Sequence, residues 1–66
     1  MKLIINGEEQ VFEDGLTISG LVEALKLHPK KVAVERNLEV VPKSLHPETM
    51  LAEGDRIEIV QFVGGG

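Results

Sequence analysis

The sequence predicts an α+β fold, with one helix laid across a mixed sheet. Three features predict it: an Asn6-Gly7 pair between two short strand-like runs, a single stretch of helical apolar spacing that begins at Thr17, and a closing run from Arg56 to Val63 that is apolar on both faces. At 66 residues there is room for one domain, near the lower size at which a core without staples holds a fold.

Lys2 to Asn6 is short and rich in β-branched residues, and Asn-Gly is the strongest local signal for a two-residue type I′ turn, so Glu8 to Phe12 is read as the return strand of a hairpin. Thr17 can cap a helix of about ten residues whose apolar positions Ile18, Leu21, Val22 and Leu25 follow i, i+3, i+4, i+7. Gly20 stands where a capping-box Glu would stand, so burial of the apolar stripe has to hold the helix. Leu27-His28-Pro29 is read as its end, with Lys30-Lys31 suited to the negative end of the helix dipole. Val32 to Val34 and Glu39 to Val41 form a second hairpin turning near Asn37, with poorer turn chemistry than the first. Lys43 to Met50 has no clean period and reads as a surface connection, with Ser44 a candidate cap for one short helical turn. Glu53-Gly54-Asp55 is a turn, and in the final strand Ile57 and Ile59 share one face while Val60 and Phe62 belong to the other. A strand apolar on both faces belongs in the middle of a sheet. Placed beside the first strand it runs parallel to it, and the residues between them supply the long crossover such a pairing needs. The architecture is a β-grasp: a mixed sheet of about four to five strands packed against one main helix.

Composition removes several classes of function. There is no cysteine, hence no disulfide, thiol nucleophile or thiolate metal site. Eleven acidic against seven basic residues give a formal charge of −4, and with no Trp or Tyr to stack on bases, nucleic acid is not an expected partner. A partner with a basic docking face is favoured instead. The apolar run at the N-terminus is too short for a signal peptide or a membrane span, so a cytoplasmic protein that does not engage membranes is expected. His28 and His46 each lie beside a proline in an expected loop and lack further ligands at metal-site spacing, so both are read as solvated and no metal site is assigned. The carboxylates Glu8-Glu9, Glu13-Asp14, Glu53 and Asp55 fall on hairpin ends and turns and read as a solvated face rather than an acid/base pair. Ser19 and Ser44 have no triad partners.

Gly64-Gly65-Gly66 stand last in the sequence, after a domain over residues 1–63. Read as a flexible C-terminal tail over residues 64–66, they form a side-chain-free arm on the order of 10 Å long when extended, able to carry an α-carboxylate into a partner's active site. A frayed end is the alternative. Val60, Phe62 and Val63, just before the tail, are candidates for a docking patch, with core packing as the competing placement.

The segments Val32-Ala33-Val34-Glu35-Arg36-Asn37 and Val40-Val41-Pro42-Lys43-Ser44 and the run from Glu53 to Gly66, together with the first strand and the helix, resemble the ThiS-type sulfur carriers of thiamin biosynthesis. The likeness covers the whole chain. Leu38 departs from it, since relatives often carry Gly after the Asn. The resemblance implies a ubiquitin-like fold and a protein that is not itself an enzyme and binds no cofactor. It implies that the Gly66 carboxylate is adenylated with ATP by an E1-like activating enzyme, converted to a thiocarboxylate with sulfur from a persulfide donor, and consumed by thiazole synthase. Gly64 and Gly65, open to backbone geometries closed to other residues, would be the part of the tail that partners recognise, and the free carrier would be a monomer. The small subunit of molybdopterin synthase is a second sulfur carrier of similar build, commonly with prolines where Phe62-Val63 stands here. A ubiquitin-like interaction module with a passive tail is the alternative from a different class.

Overall fold

The computed structural model describes residues 1–62. The expected boundary between residues 1–63 and the tail over 64–66 therefore lies outside the described residues, as do Val63, Gly64, Gly65 and Gly66. Strands β1 (Lys2–Ile5) and β2 (Glu8–Val11) pair antiparallel, with Leu3 opposite Gln10 and Ile5 opposite Glu8. Between them Asn6 and Gly7 take φ of 49° and 83°, the left-handed pair that a type I′ turn requires. Helix α1 spans Ile18–Ala24, β3 Val32–Arg36, β4 Glu39–Val41 and β5 Arg56–Gln61, with short 3-10 turns at Pro29–Lys31 and Lys43–Leu45. The sheet order is β2-β1-β5-β3-β4. As the two-sided apolar pattern predicts, β5 is central, parallel to β1 and antiparallel to β3.

Thr17 caps α1, its Oγ1 accepting from the Gly20 N–H at 3.1 Å. The next donors are satisfied by the crossing segment, since the Ile18 and Ser19 N–H groups donate to the carbonyls of Thr49 and His46 at 3.0 and 3.1 Å. At Gly20 an added Cβ would lie 3.1 Å from Leu16 Cδ2, so the residue that weakens the helix by propensity also permits Leu16 to close over its first turn.

The helix is shorter than the ten residues that its periodicity suggests, and Pro29 does not end it. Lys26 enters the left-handed region at φ 60°, the Lys26 N–H donates to the Glu23 carbonyl and the Leu27 N–H to the Val22 carbonyl, which is a Schellman termination. His28 rather than a helix end then receives the lysine pair: its Nδ1 accepts from the Lys30 N–H at 3.1 Å and caps the 3-10 turn. Ser44 caps nothing; it lies within the second 3-10 turn, which Pro42 precedes without a side-chain cap.

Leu3, Ile5, Val32, Val34, Ile57 and Ile59 turn one face of the sheet toward Ile18, Leu21 and Val22 of α1, and Leu51 from the crossing segment completes the buried cluster. Leu25 and Leu27 are partly buried against it. Among the described residues no helix is long and apolar enough to cross a membrane.

Candidate functional site

β5 carries the chain from the middle of the sheet to residue 62, so the candidate site is built at the end of that strand. Alternation along β5 buries Ile57 and Ile59 and leaves Arg56, Glu58 and Val60 on the face away from α1. Val60 is 59% exposed and lies opposite Ala33, which removes the core as its place. Phe62 is 49% exposed. These two expected docking residues therefore stand at the surface, while Val63 and the glycines fall outside the described residues.

The open face around Val60 combines apolar and acidic groups. Glu35 of β3 lies directly opposite Glu58 of β5 and, on its other side, opposite Val40 of β4, itself 69% exposed. Like charges directly opposite each other on a sheet are destabilising. A cation placed beside the pair would relieve that cost.

Phe62 is fastened to the loops beside it. Its N–H donates to the Lys31 carbonyl at 2.8 Å, which prolongs the β3–β5 pairing into the 3-10 turn. The Lys43 ammonium lies 5.6 Å from the centre of the Phe62 ring and donates to the Lys30 carbonyl at 2.7 Å. Lys43 was not singled out by its sequence context, because its partners are 13 and 19 positions away.

Two titratable groups depart from the solvated reading. His46 is buried, 5% exposed, and its Nε2 meets the Val41 carbonyl at 2.9 Å, which ties the crossing segment to β4. Asp55, 7% exposed, accepts from the Ala52 N–H at 2.8 Å, Arg36 Nε at 2.8 Å and Asn37 Nδ2 at 3.1 Å. Burial pushes the Asp55 carboxyl up, but the three donors and the Arg36 charge outweigh it and hold the group below its ordinary value of 3.8. With all three donors in the protein itself, Asp55 is a structural tie between β3, the turn after it and the start of β5. His28 is exposed, as expected, and among the described residues no cluster of three or more His, Cys, Asp or Glu is placed to hold a metal.

The family model described as the ThiS family matches residues 2–66. A protein called thiazole synthase from Paramagnetospirillum magneticum is 52% identical over 66 residues, covering all of this chain and 20% of that protein. A second thiazole synthase, from Magnetococcus marinus, is 47% identical and also covered to 20%, so the chain spans a small part of these curated relatives. The sulfur carrier protein ThiS of Bacillus subtilis is 43% identical over 65 residues, which is 97% of this chain and 98% of that one. Among solved structures, the crystal structure of a thiamine biosynthesis protein (ThiS) from Geobacter metallireducens superposes with a TM-score of 0.84 at 33% identity, covering both chains fully.

Proposed function

The chain belongs to the ThiS family, and from that membership we propose that it carries sulfur on the carboxyl group of Gly66 for the thiazole step of thiamin biosynthesis. The observation that carries this reading is the extent of the match, which runs through Gly66 and pairs nearly the full length of this chain with that of a relative called a sulfur carrier. A free α-carboxyl has a pKa of about 3.3 to 3.7 and is ionised at neutral pH. It attacks the α-phosphorus of ATP on an activating enzyme, pyrophosphate leaves, and the acyl-adenylate that forms is the electrophile the carboxylate is not. The outer sulfur of a donor persulfide then displaces AMP, and a thiol cleaves the resulting acyl disulfide to release the thiocarboxylate. The relatives called thiazole synthase, each of which contains a segment like this chain, support thiazole synthase as the acceptor.

In this reading the protein is a cytoplasmic co-substrate and a monomer when free, the ATP site lies on the activating enzyme, and its own residues present the tail. Gly64 and Gly65 are the slender part that enters a partner, and Val60, Phe62, Val63 and the Glu35–Glu58 pair form the surface that docks. The test is intact mass spectrometry after incubation with ATP, an activating enzyme and a persulfide donor. The expected result is a mass gain equal to sulfur minus oxygen, located on Gly66 by fragmentation. An unchanged mass under conditions that modify the Bacillus carrier overturns the reading.

A further inference from the structure

We propose that Asn6 is a site of spontaneous deamidation that the docked strand β5 holds closed, so that the modification marks chains in which β5 has come away. It needs no partner protein and is independent of the sulfur-carrier reading.

The pair Asn6-Gly7 sets the chemistry. Once hydroxide has taken its proton, the Gly7 backbone nitrogen attacks the Asn6 side-chain carbon Cγ. A C–N bond forms, the Cγ–Nδ2 bond breaks, and Nδ2 takes a proton from water and leaves as ammonia. The cyclic succinimide then adds water at one of its two carbonyls, giving aspartate or isoaspartate at position 6. Nothing is oxidised or reduced; the net change is amide plus water to acid plus ammonia. Gly7 is exposed, takes φ of 83° and has no neighbour within 4 Å of where a Cβ would stand, so the nucleophile is open to solvent. Asn37 sits in a turn of the same left-handed geometry, but there the next residue is Leu38, whose branched side chain hinders the attacking nitrogen.

What restrains Asn6 is the grip on its side-chain amide. Oδ1 accepts from the Ile59 N–H at 2.7 Å and Nδ2 donates to the Ile59 carbonyl at 3.2 Å. β1 and β5 run parallel, and the preceding rung is the Asn6 N–H on the Ile57 carbonyl at 2.8 Å. The amide thus stands in for the next peptide of β1 and continues the ladder by one rung. In the order β2-β1-β5 the two neighbours of β1 lie on opposite sides of it. The amide is therefore drawn toward β5 while the chain through Gly7 turns the other way, to β2. For Cγ to face the Gly7 nitrogen the amide has to leave Ile59, which requires β5 to open locally or the chain to unfold.

The product weakens the rung that had protected it. An ionised aspartate has no proton to give the Ile59 carbonyl and sets an acceptor where Nδ2 now donates. Isoaspartate also lengthens the main chain by one carbon inside a two-residue turn. A chain modified once docks β5 less firmly.

The experiment incubates the wild-type chain in buffer and in urea at one mildly alkaline pH and follows both asparagines by peptide mapping with mass spectrometry. In urea Asn6 is converted and Asn37 lags behind it. In buffer conversion at Asn6 is slower by about tenfold or more, the factor expected for two hydrogen bonds. Gly7→Ala slows Asn6 in urea, since a Cβ then crowds the attacking nitrogen. Equal rates at Asn6 in the two solvents overturn the gate, and an Asn6 no faster than Asn37 in urea, or unaffected by Gly7→Ala, overturns the site. The modified chain, separated by ion exchange, and Asn6→Asp are both expected to unfold at lower urea than the wild type. Wild-type midpoints in both overturn the loosening of β5.

Discussion

At the β1–β2 turn Asn6 and Gly7 take φ of 49° and 83°; at the β3–β4 turn Asn37 and Leu38 take 51° and 73°. Both asparagines use backbone and side chain to grip β5. The Asn6 N–H donates to the Ile57 carbonyl at 2.8 Å, its Oδ1 accepts from the Ile59 N–H at 2.7 Å, and its Nδ2 donates to the Ile59 carbonyl at 3.2 Å. On the other side of the strand the Asn37 N–H donates to the Arg56 carbonyl at 2.8 Å, and its Oδ1 accepts from the Arg56 N–H at 3.0 Å. The turns differ in what makes them close. Gly7 adopts its geometry at no steric cost, whereas Leu38 is a bulky side chain in the left-handed region, 88% exposed with nothing to pack on. The second turn is therefore imposed from outside, by the tie of Asn37 and Arg36 to buried Asp55.

The largest way to break this contrast is to remove that tie. Asp55→Ala strands Arg36 and Asn37, and urea unfolding at neutral pH is expected to show a loss of about 3 kcal/mol. Because the native Asp55 carboxyl lies below its ordinary 3.8, its contribution is present above 3.8 and is lost as pH falls through the ordinary value toward the lower native one. The wild-type urea midpoint should decline over that range, and more steeply than that of Asp55→Ala.

Next in size are the asparagines. Asn6→Ala and Asn37→Ala each remove two side-chain hydrogen bonds, about 2 kcal/mol apiece. They part company in double variants. Asn37→Ala combined with Asp55→Ala should cost less than the sum by about 0.5 kcal/mol or more, while Asn6→Ala should add. The smallest change sharpens the contrast at the turn tips: Leu38→Gly relieves the left-handed leucine and should raise stability by about 0.5 kcal/mol after the entropy gained by the unfolded chain is subtracted, whereas Gly7→Ala should lower it. Additive asparagine variants, or a destabilised Leu38→Gly, would mean that the second turn closes on its own.

What the sequence made legible follows the reach of each interaction. Asn6-Gly7 and the Thr17 cap act within three or four residues, and both are where the pattern puts them. The central, parallel place of β5 was legible, but the two-sided burial inferred with it was not met, since Ile57 and Ile59 are buried while the face with Arg56, Glu58 and Val60 stays open. The helix end was not legible: Leu25 and Leu27 keep the apolar period running, and nothing in a lysine announces a left-handed backbone at position 26. Nor were Asp55 and His46, since polar residues in turns read as solvated until the partners that bury them arrive from other elements. At the candidate site, alternation set Val60 and Phe62 on the face opposite Ile57 and Ile59 but left open whether anything covers that face, and Lys43 could be matched to Phe62 only after β5 and the second 3-10 turn were set side by side.

The strand order has a further consequence. In the order β2-β1-β5-β3-β4 the two hairpins are contiguous in sequence, yet within the sheet they meet only through β5, whose partners in β1 lie some fifty positions earlier in the chain. Releasing β5 leaves two hairpins, each marginal by itself. Partial opening is thus a poor refuge, and the cooperative unit is the whole sheet. A chain that has β5 out of place loses the one strand that both hairpins share, so if the proposed carrier role holds, fidelity of folding and competence as a substrate become one property.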